Sequence, residues 1–226
     1  MPIGTPLMNF SSLKIELEII SPVMQGGGYP IHLDSLMYWA MINMGSSHDE
    51  AIKNLDSALS KSSNVYHASQ ALYVKGLNST VVATAITRLT KFEWSEYTGQ
   101  FSKNKKSIKE GEGEFRRLFT TKSAIKANKV VFFAHGHKDK ILFLLNSLVG
   151  VGRNAHSGFG EIGKIKITEV IEDNSWFYND KLNRILPTNI FFQERNEPVR
   201  ECRYKPNYSV GETINCYIPT MNTVYL

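Results

Sequence analysis

The sequence predicts an α+β fold, a ferredoxin-like β-α-β-β-α-β core carrying additions. Three observations predict it: runs in which apolar residues alternate with period two, helical apolar stripes set between those runs, and a glycine-rich segment, Gly150 to Gly163, that joins a helical stretch to a further strand.

The elements follow in order. Leu13 to Ile20 alternates apolar and charged residues, which makes a half-buried strand with Lys14, Glu16 and Glu18 on its wet face. Ser21-Pro22 ends the strand, and Gln25-Gly-Gly-Gly-Tyr-Pro30 reads as a flexible loop. Asp34 reads as the N-cap of a helix whose inward stripe is Leu36, Met37, Ala40 and Met41. A second helical stretch covers about Asp49 to Ser60, capped by Ser46, Ser47 or Asp49. Strand-forming residues follow over Val65–Val74 and Val81–Trp94, with a break at Gly76-Leu-Asn-Ser79. Val130–Ala134, β-branched and aromatic, reads as a buried strand, and Lys138–Leu148 as a helix with Ile141, Leu142, Leu144, Leu145 and Leu148 inward. Lys164–Val170 alternates again. From about Asp173 the chain is loop-rich, with Pro187, Pro198, Pro206 and Pro219 and one last strand-like piece, Thr213–Ile218. No internal repeat or clean linker divides the chain. The expectation is one domain over residues 1–226, with the core at about 11–172 and an irregular extension at about 173–226.

The formal net charge of +5 favours a polyanionic partner, because a cation placed at a phosphate releases counterions. The excess is concentrated: Lys103 to Lys129 holds nine Lys or Arg against three acids, and Lys103–Glu114 is polar enough to be an exposed loop. Cys202 and Cys216 are too few for a zinc site and are expected as reduced thiols. No signal peptide is evident and no apolar run approaches a membrane span, so the expectation is a soluble, cytoplasmic protein with no membrane partner.

The glycine-rich segment contains three nucleotide-site decoys. Gly158-Phe-Gly-Glu-Ile-Gly163 matches GxGxxG, Gly150-Val-Gly-Arg-Asn-Ala155 matches GxGxxA, and Gly158 to Lys164 matches most of a phosphate-binding loop. Each chemistry needs a strand before the glycines and a helix after them, since the helix N-terminus supplies the amides that face phosphate. Here a helix comes first and a strand follows, and Ile165 stands where a Mg²⁺-binding hydroxyl belongs. No cofactor is expected. Two readings of the segment stay open: a bulged connection needing unusual φ angles, or an extended backbone close to phosphates, with Arg153 and Lys164 as cations. His32, just before Asp34, reads as a brace of the loop after the first strand. His135 and His137 stand near Asp139, but spacing places no third ligand, so no metal site is expected.

Four stretches resemble one family. Leu144-Leu-Asn-Ser-Leu-Val-Gly-Val-Gly152 followed by Ser157-Gly-Phe-Gly-Glu161 and a strand is similar to the glycine-rich loop of CRISPR-associated RAMP proteins. Ser21-Pro22 with Pro30-Ile-His-Leu-Asp-Ser-Leu36, Phe132-Phe-Ala-His-Gly136, and Cys216-Tyr-Ile-Pro219 are the others. Together they resemble the type IV effector subunit of the five-prime-handle-binding, Cas-five-like group, over residues 13 to 219. One departure is the tail: the family often reads Pro-Pro-Tyr where this chain has Lys205-Pro-Asn-Tyr208. The resemblance implies an RRM-like RAMP fold and a non-catalytic subunit that binds crRNA at its 5′ handle. Its implied partners are backbone RAMP subunits, other effector subunits and target DNA. The RNA contacts it implies are Gly150, Gly152, Arg153, His156, Ser157, Gly158, Gly160 and Lys164 in the loop. Arg116, Arg117, Lys103, Lys105 and Lys106 join them from the basic region. Some relatives are metal-independent endoribonucleases with a His near the first helix, which makes His32 the alternative catalytic residue.

Overall fold

The computed structural model describes residues 10–26, 29–74, 77–83, 120–191, 195–220 and 223–224. The chain divides into two compact units. One is formed by the chain up to Asn78 and from Ala124 onward, the other by Ser79–Ser123. The strands of the N-terminal half are β1 (Ser11–Ile19), β2 (Lys61–Ser62), β3 (Val65–Tyr66), β4 (Leu72–Val74) and β5 (Leu77–Ala83). After them come β6 (Thr120–Lys126), β7 (Lys129–Gly136), β8 (Ile162–Glu169), β9 (Phe177–Tyr178) and β10 (Lys181–Leu182). The last are β11 (Leu186–Pro187), β12 (Val199–Cys202), β13 (Ile214–Tyr217) and β14 (Thr223–Val224). The helices are α1 (Leu33–Asn43), α2 (His48–Ala58) and α3 (Lys138–Asn146). In the smaller unit the described residues belong to β5 and β6, which pair with each other. Residues 84–119, with most of the basic region, lie outside the described residues.

The main sheet of the larger unit has the order β14-β4-β7-β1-β8. Strand β1 pairs antiparallel with β7 on one side and β8 on the other, and β7 pairs antiparallel with β4. With α1 and α2 between β1 and β4, and α3 between β7 and β8, this is the ferredoxin-like β-α-β-β-α-β core. The period-two pattern of β1 explains its central place. Leu13, Ile15, Leu17 and Ile19 are buried on the helix side, while Lys14 and Glu16 lie on the opposite face, where Lys129 reaches Glu16 at 3.0 Å. Burial opposes ionisation of Glu16, but Lys129 and Lys14 outweigh it and hold its carboxyl below the usual range. α1 covers the core with Leu33, Leu36, Met37, Ala40 and Met41, and α3 adds Ile141, Leu144 and Leu145.

Both faces of β7 are buried. Val130, Phe132 and Ala134 face the helices, while Val131 and Phe133 pack with Leu72 on the other side, where Tyr178 stacks on Phe133 at 4.9 Å. That unbroken run of apolar residues is therefore covered by the C-terminal segment. The segment holds more regular structure than its prolines announce: a β9–β10 hairpin, a three-stranded β11-β13-β12 sheet, and β14, which joins the main sheet parallel to β4. Cys202 and Cys216 are buried free thiols within it.

Other boundaries also differ from the sequence reading. The expected strand over Val65–Val74 is two short strands, because the chain between them pairs residue by residue with separate partners, Ala68 with Ala134 and Gln70 with His32. The expected break at Gly76–Ser79 is displaced, since β5 already begins at Leu77. Among the three cap candidates for α2, Ser47 makes the cap. Its Oγ accepts from Glu50 N–H at 3.4 Å, and Glu50 Oε2 accepts from Ser47 N–H at 2.8 Å.

Asp34 does not cap α1. His32 holds the cap position without a side-chain cap bond, and Asp34 sits inside the first turn. Its carboxylate is committed elsewhere. Arg184 Nη2 donates to Asp34 Oδ2 at 2.7 Å, and both side chains are fully buried. Arg184 also donates to Ala68 O at 2.5 Å and Tyr204 O at 2.8 Å, while Tyr208 Oη donates to both Asp34 oxygens at 3.0 and 3.1 Å. Burial works against the Arg184 charge, but Asp34 and Tyr208 outweigh it and raise its pKa above the ordinary value. A second tie binds the start of the segment. Asp173 and Ser62 hold the two ring nitrogens of His67 at 2.6 and 2.9 Å, and Trp176 stacks on the ring at 4.7 Å.

Removing one partner of a buried ion pair leaves the other charge unpaired, which costs about 3–5 kcal/mol. Arg184→Ala is therefore expected to lower unfolding stability by that order, and the paired change Asp34→Asn with Arg184→Met by less, measured by chemical denaturation.

Candidate nucleic-acid interface

The glycine-rich segment leaves α3, folds over a short 3₁₀ turn at Ala155–Ser157, and enters β8. The helix-first, strand-last order is that read from the sequence. Its two limbs are laced together, with Val151 N–H on Gly160 O at 2.8 Å and Gly150 bridged to Glu161. The segment is also laced to the extended chain just after β1. Arg153 N–H donates to Met24 O at 2.8 Å, Gly160 N–H to Pro22 O at 2.9 Å, and Glu161 N–H to Ser21 Oγ at 2.9 Å. Val23, between them, turns the other way and exchanges both backbone bonds with Ile125.

Close backbone approach is what the glycines provide. A Cβ on Gly152 would lie 2.4 Å from Met24 O, and one on Gly160 would lie 2.0 Å from Val151 O; both residues also have positive φ, +92° and +62°. Gly158 faces open space, although its φ of +83° still favours glycine. The bulged connection with unusual φ is thus present. The amides of Val151, Arg153, Gly160 and Glu161 bond within the protein, because that approach brings them onto its own carbonyls and the Ser21 hydroxyl. Those of Asn154, Ala155 and His156, at the tip, have no backbone partner among the described residues.

The loop's outward groups divide into two places. His156, Ser157 and Gly158 are exposed at the tip. Arg153 instead lines a cleft of about 340 Å³ with Gly152. Lys164 is exposed on β8, its amide on Glu18 Oε2 at 3.3 Å, and does not line that cleft. Arg116, Arg117, Lys103, Lys105 and Lys106 lie outside the described residues.

The cleft brings together parts of the chain that the sequence reading left separate. Tyr29, Ile31 and His32 come from the loop after β1, Leu36 and Trp39 from α1, and Arg203 and Tyr208 from the C-terminal segment. Tyr29 and Trp39 are 46 % and 47 % exposed, so about half of each aromatic residue is open to solvent. Arg203 is held in place by a bond from its Nε to Gly211 O at 2.9 Å. Tyr29, Trp39, Arg184, Arg203 and Tyr208 were not singled out from sequence. For Arg184 a signal existed: an arginine inside Leu182-Asn-Arg-Ile-Leu186 is a cation in an apolar run, which is buried only when paired.

His32 lies in the cleft wall, 2 % exposed, its ring stacked on Tyr208 at 5.3 Å and 5°. Its Nε2 accepts from Ile185 N–H at 3.2 Å. Burial, and then the nearby Arg184 charge, push its pKa well below the ordinary 6.5, so the ring is neutral.

A ferredoxin-like β-α-β-β-α-β core with a glycine-rich loop between α3 and β8 is the fold that the resemblance to RAMP proteins implies. The match of a family model over residues 11–218 makes the assignment specific: the chain belongs to the family Csf3, CRISPR type IV associated protein. Comparison with curated proteins gives no match. Among solved structures, a chain of "Cryo-EM structure of the Type III-B Cmr-beta bound to cognate target RNA" is similar at TM-score 0.36 and 10% identity, over 71% of this chain and 61% of that one. This chain thus spans about three fifths of that neighbour's length. Among the described residues no helix is long and apolar enough to cross a membrane.

Two predictions test the site's construction. Gly152→Ala and Gly160→Ala are expected to lower the melting temperature by several degrees each, and Gly158→Ala by less, since only its φ is strained. The low pKa of His32 gives a signed pH dependence. The unfolded chain takes up a proton near pH 6.5 that the folded ring refuses, so this contribution to stability is complete above that pH and falls as the pH is lowered below it. The slope approaches roughly 1.4 kcal/mol per pH unit. Denaturation midpoints between pH 7.5 and 5 should show the decline, and His32→Gln should flatten it.

Proposed function

We propose that this protein is a non-catalytic crRNA-binding subunit of a type IV CRISPR ribonucleoprotein effector, holding the 5′ handle of the guide alongside backbone RAMP subunits and close to target DNA. The observation that carries the reading is the position of Arg153. Its backbone is pinned to Met24, and its side chain borders a cleft whose other walls include Tyr29 and Trp39. A cation beside exposed aromatic faces is the chemistry that holds single-stranded RNA, one binding the backbone and the other stacking bases. The exposed tip, His156 to Gly158, and Lys164 extend the polar surface along the strand's path, and the basic region holding Arg116, Arg117, Lys103, Lys105 and Lys106 supplies further charge.

The alternative is an endoribonuclease using His32, and the ring's bonding argues against it. A general base needs a free lone pair, and the Nε2 pair is taken by Ile185 N–H. A general acid needs a proton to give near neutral pH, and this ring stays neutral there.

The double variant Arg153→Ala with Lys164→Ala should recover at least tenfold less guide RNA on copurification with its partner subunits, and RNA affinity of the native protein should fall steeply with salt. Unchanged RNA recovery and assembly would remove the loop from the mechanism. Labelled precursor RNA incubated without metal should stay intact; cleavage that disappears in His32→Ala would favour the enzyme.

A further inference from the structure

We infer that the cleft beside the glycine-rich loop receives one unstacked base of the bound RNA strand, with His32 Nδ1–H donating to an acceptor atom on that base and with Tyr29 and Trp39 at its faces. The inference rests on the RNA-binding reading and specifies its ligand.

The bonding of His32 leads to it. Since Nε2 accepts from Ile185 N–H, a neutral ring carries its proton on Nδ1. Among the described residues that N–H meets no protein acceptor, and it is not sealed from the cleft. The ring cannot easily swing away to find one, because it is 2 % exposed and stacked on Tyr208. Tyr208 Oη is itself committed to Asp34. A fixed donor that opens on a cleft bonds water while the cleft is empty, and a ligand that brings an acceptor can take that water's place. Base edges bring such acceptors as ring nitrogens and carbonyl oxygens.

The surroundings fit the same ligand. Leu36, Ile31 and Ile185 give the cleft an apolar lining, and its volume of about 340 Å³ lies within the range of small-ligand clefts, roughly 300–1,000 Å³. Arg153 and Arg203 border it, cations of the kind that pair with the phosphates of an inserted nucleotide. His32 is then a reading group: it touches the base and takes no part in chemistry.

The test uses the full-length protein and synthetic single-stranded RNAs that copy the copurified guide, each carrying one abasic residue at a different position. Affinities are read by fluorescence anisotropy. One position should stand out, with loss of its base weakening binding about tenfold. In Trp39→Ala, a surface change that leaves the core intact, and in His32→Gln, that position should become indifferent. A flat abasic profile, or a penalty at that position unchanged in both variants, overturns the base pocket. The RNA-binding reading then still stands if Arg153→Ala with Lys164→Ala loses affinity for the same RNAs, and falls if native protein binds none of them. Free nucleoside monophosphates binding as tightly as the RNAs would also overturn the inference, since the cleft would then be a free-nucleotide site.

Discussion

A guanidinium taken out of water has to be given acceptors, and Arg184 draws them from separate parts of the chain. Asp34 comes from the first turn of α1, Ala68 from the winding stretch before β4, and Tyr204 and Tyr208 from the C-terminal segment. Hydrophobic burial could bring these pieces together in many ways, because it is not directional. The ion pair and its satellite bonds admit far fewer. They set the C-terminal segment against the start of α1, and the cleft exists only because that segment, the post-β1 loop and the glycine-rich loop meet there. His32 owes its neutral state in part to the same charge and its orientation to Tyr208.

The glycine-rich loop shows a division of labour that composition alone conceals. Its glycines let two backbones touch, and most of the amides that such loops can direct at phosphate bond here to carbonyls and to Ser21. What the loop offers outward is side chains: Arg153 at the cleft, and His156 and Ser157 at the tip. With its backbone pinned to Met24, Arg153 has less freedom left to lose on meeting a ligand.

The core was legible because its signals are periodic and long. The alternation of β1, the stripes of α1 and α3, and the helix-then-strand order around the glycines all survive in the structure. The two stretches that most resembled the RAMP family, Ser21-Pro22 and the glycine-rich loop, prove to be bonded to one another. Illegible were the two-residue strands β9, β10 and β11, too short to show any period, and the role of Asp34. Its sequence position suits a cap, but its partner lies 150 residues away, and no local rule looks that far. The cleft was missed for a related reason. Tyr29 and Trp39 are ordinary surface aromatics until the fold brings Arg153 and Arg203 beside them.

Strand β8 ends the described main sheet on its outer side, and an eight-residue strand with one unpaired edge is a standing invitation to other chains. Lys164 and Lys166 are exposed along it, while Ile165 and Ile167 pack against the core. A charged side chain with a long solvated stem discourages a foreign strand from adding to that edge, so these lysines also protect it from stray pairing. A strand that docks by extending the sheet has first to meet or displace those two charges.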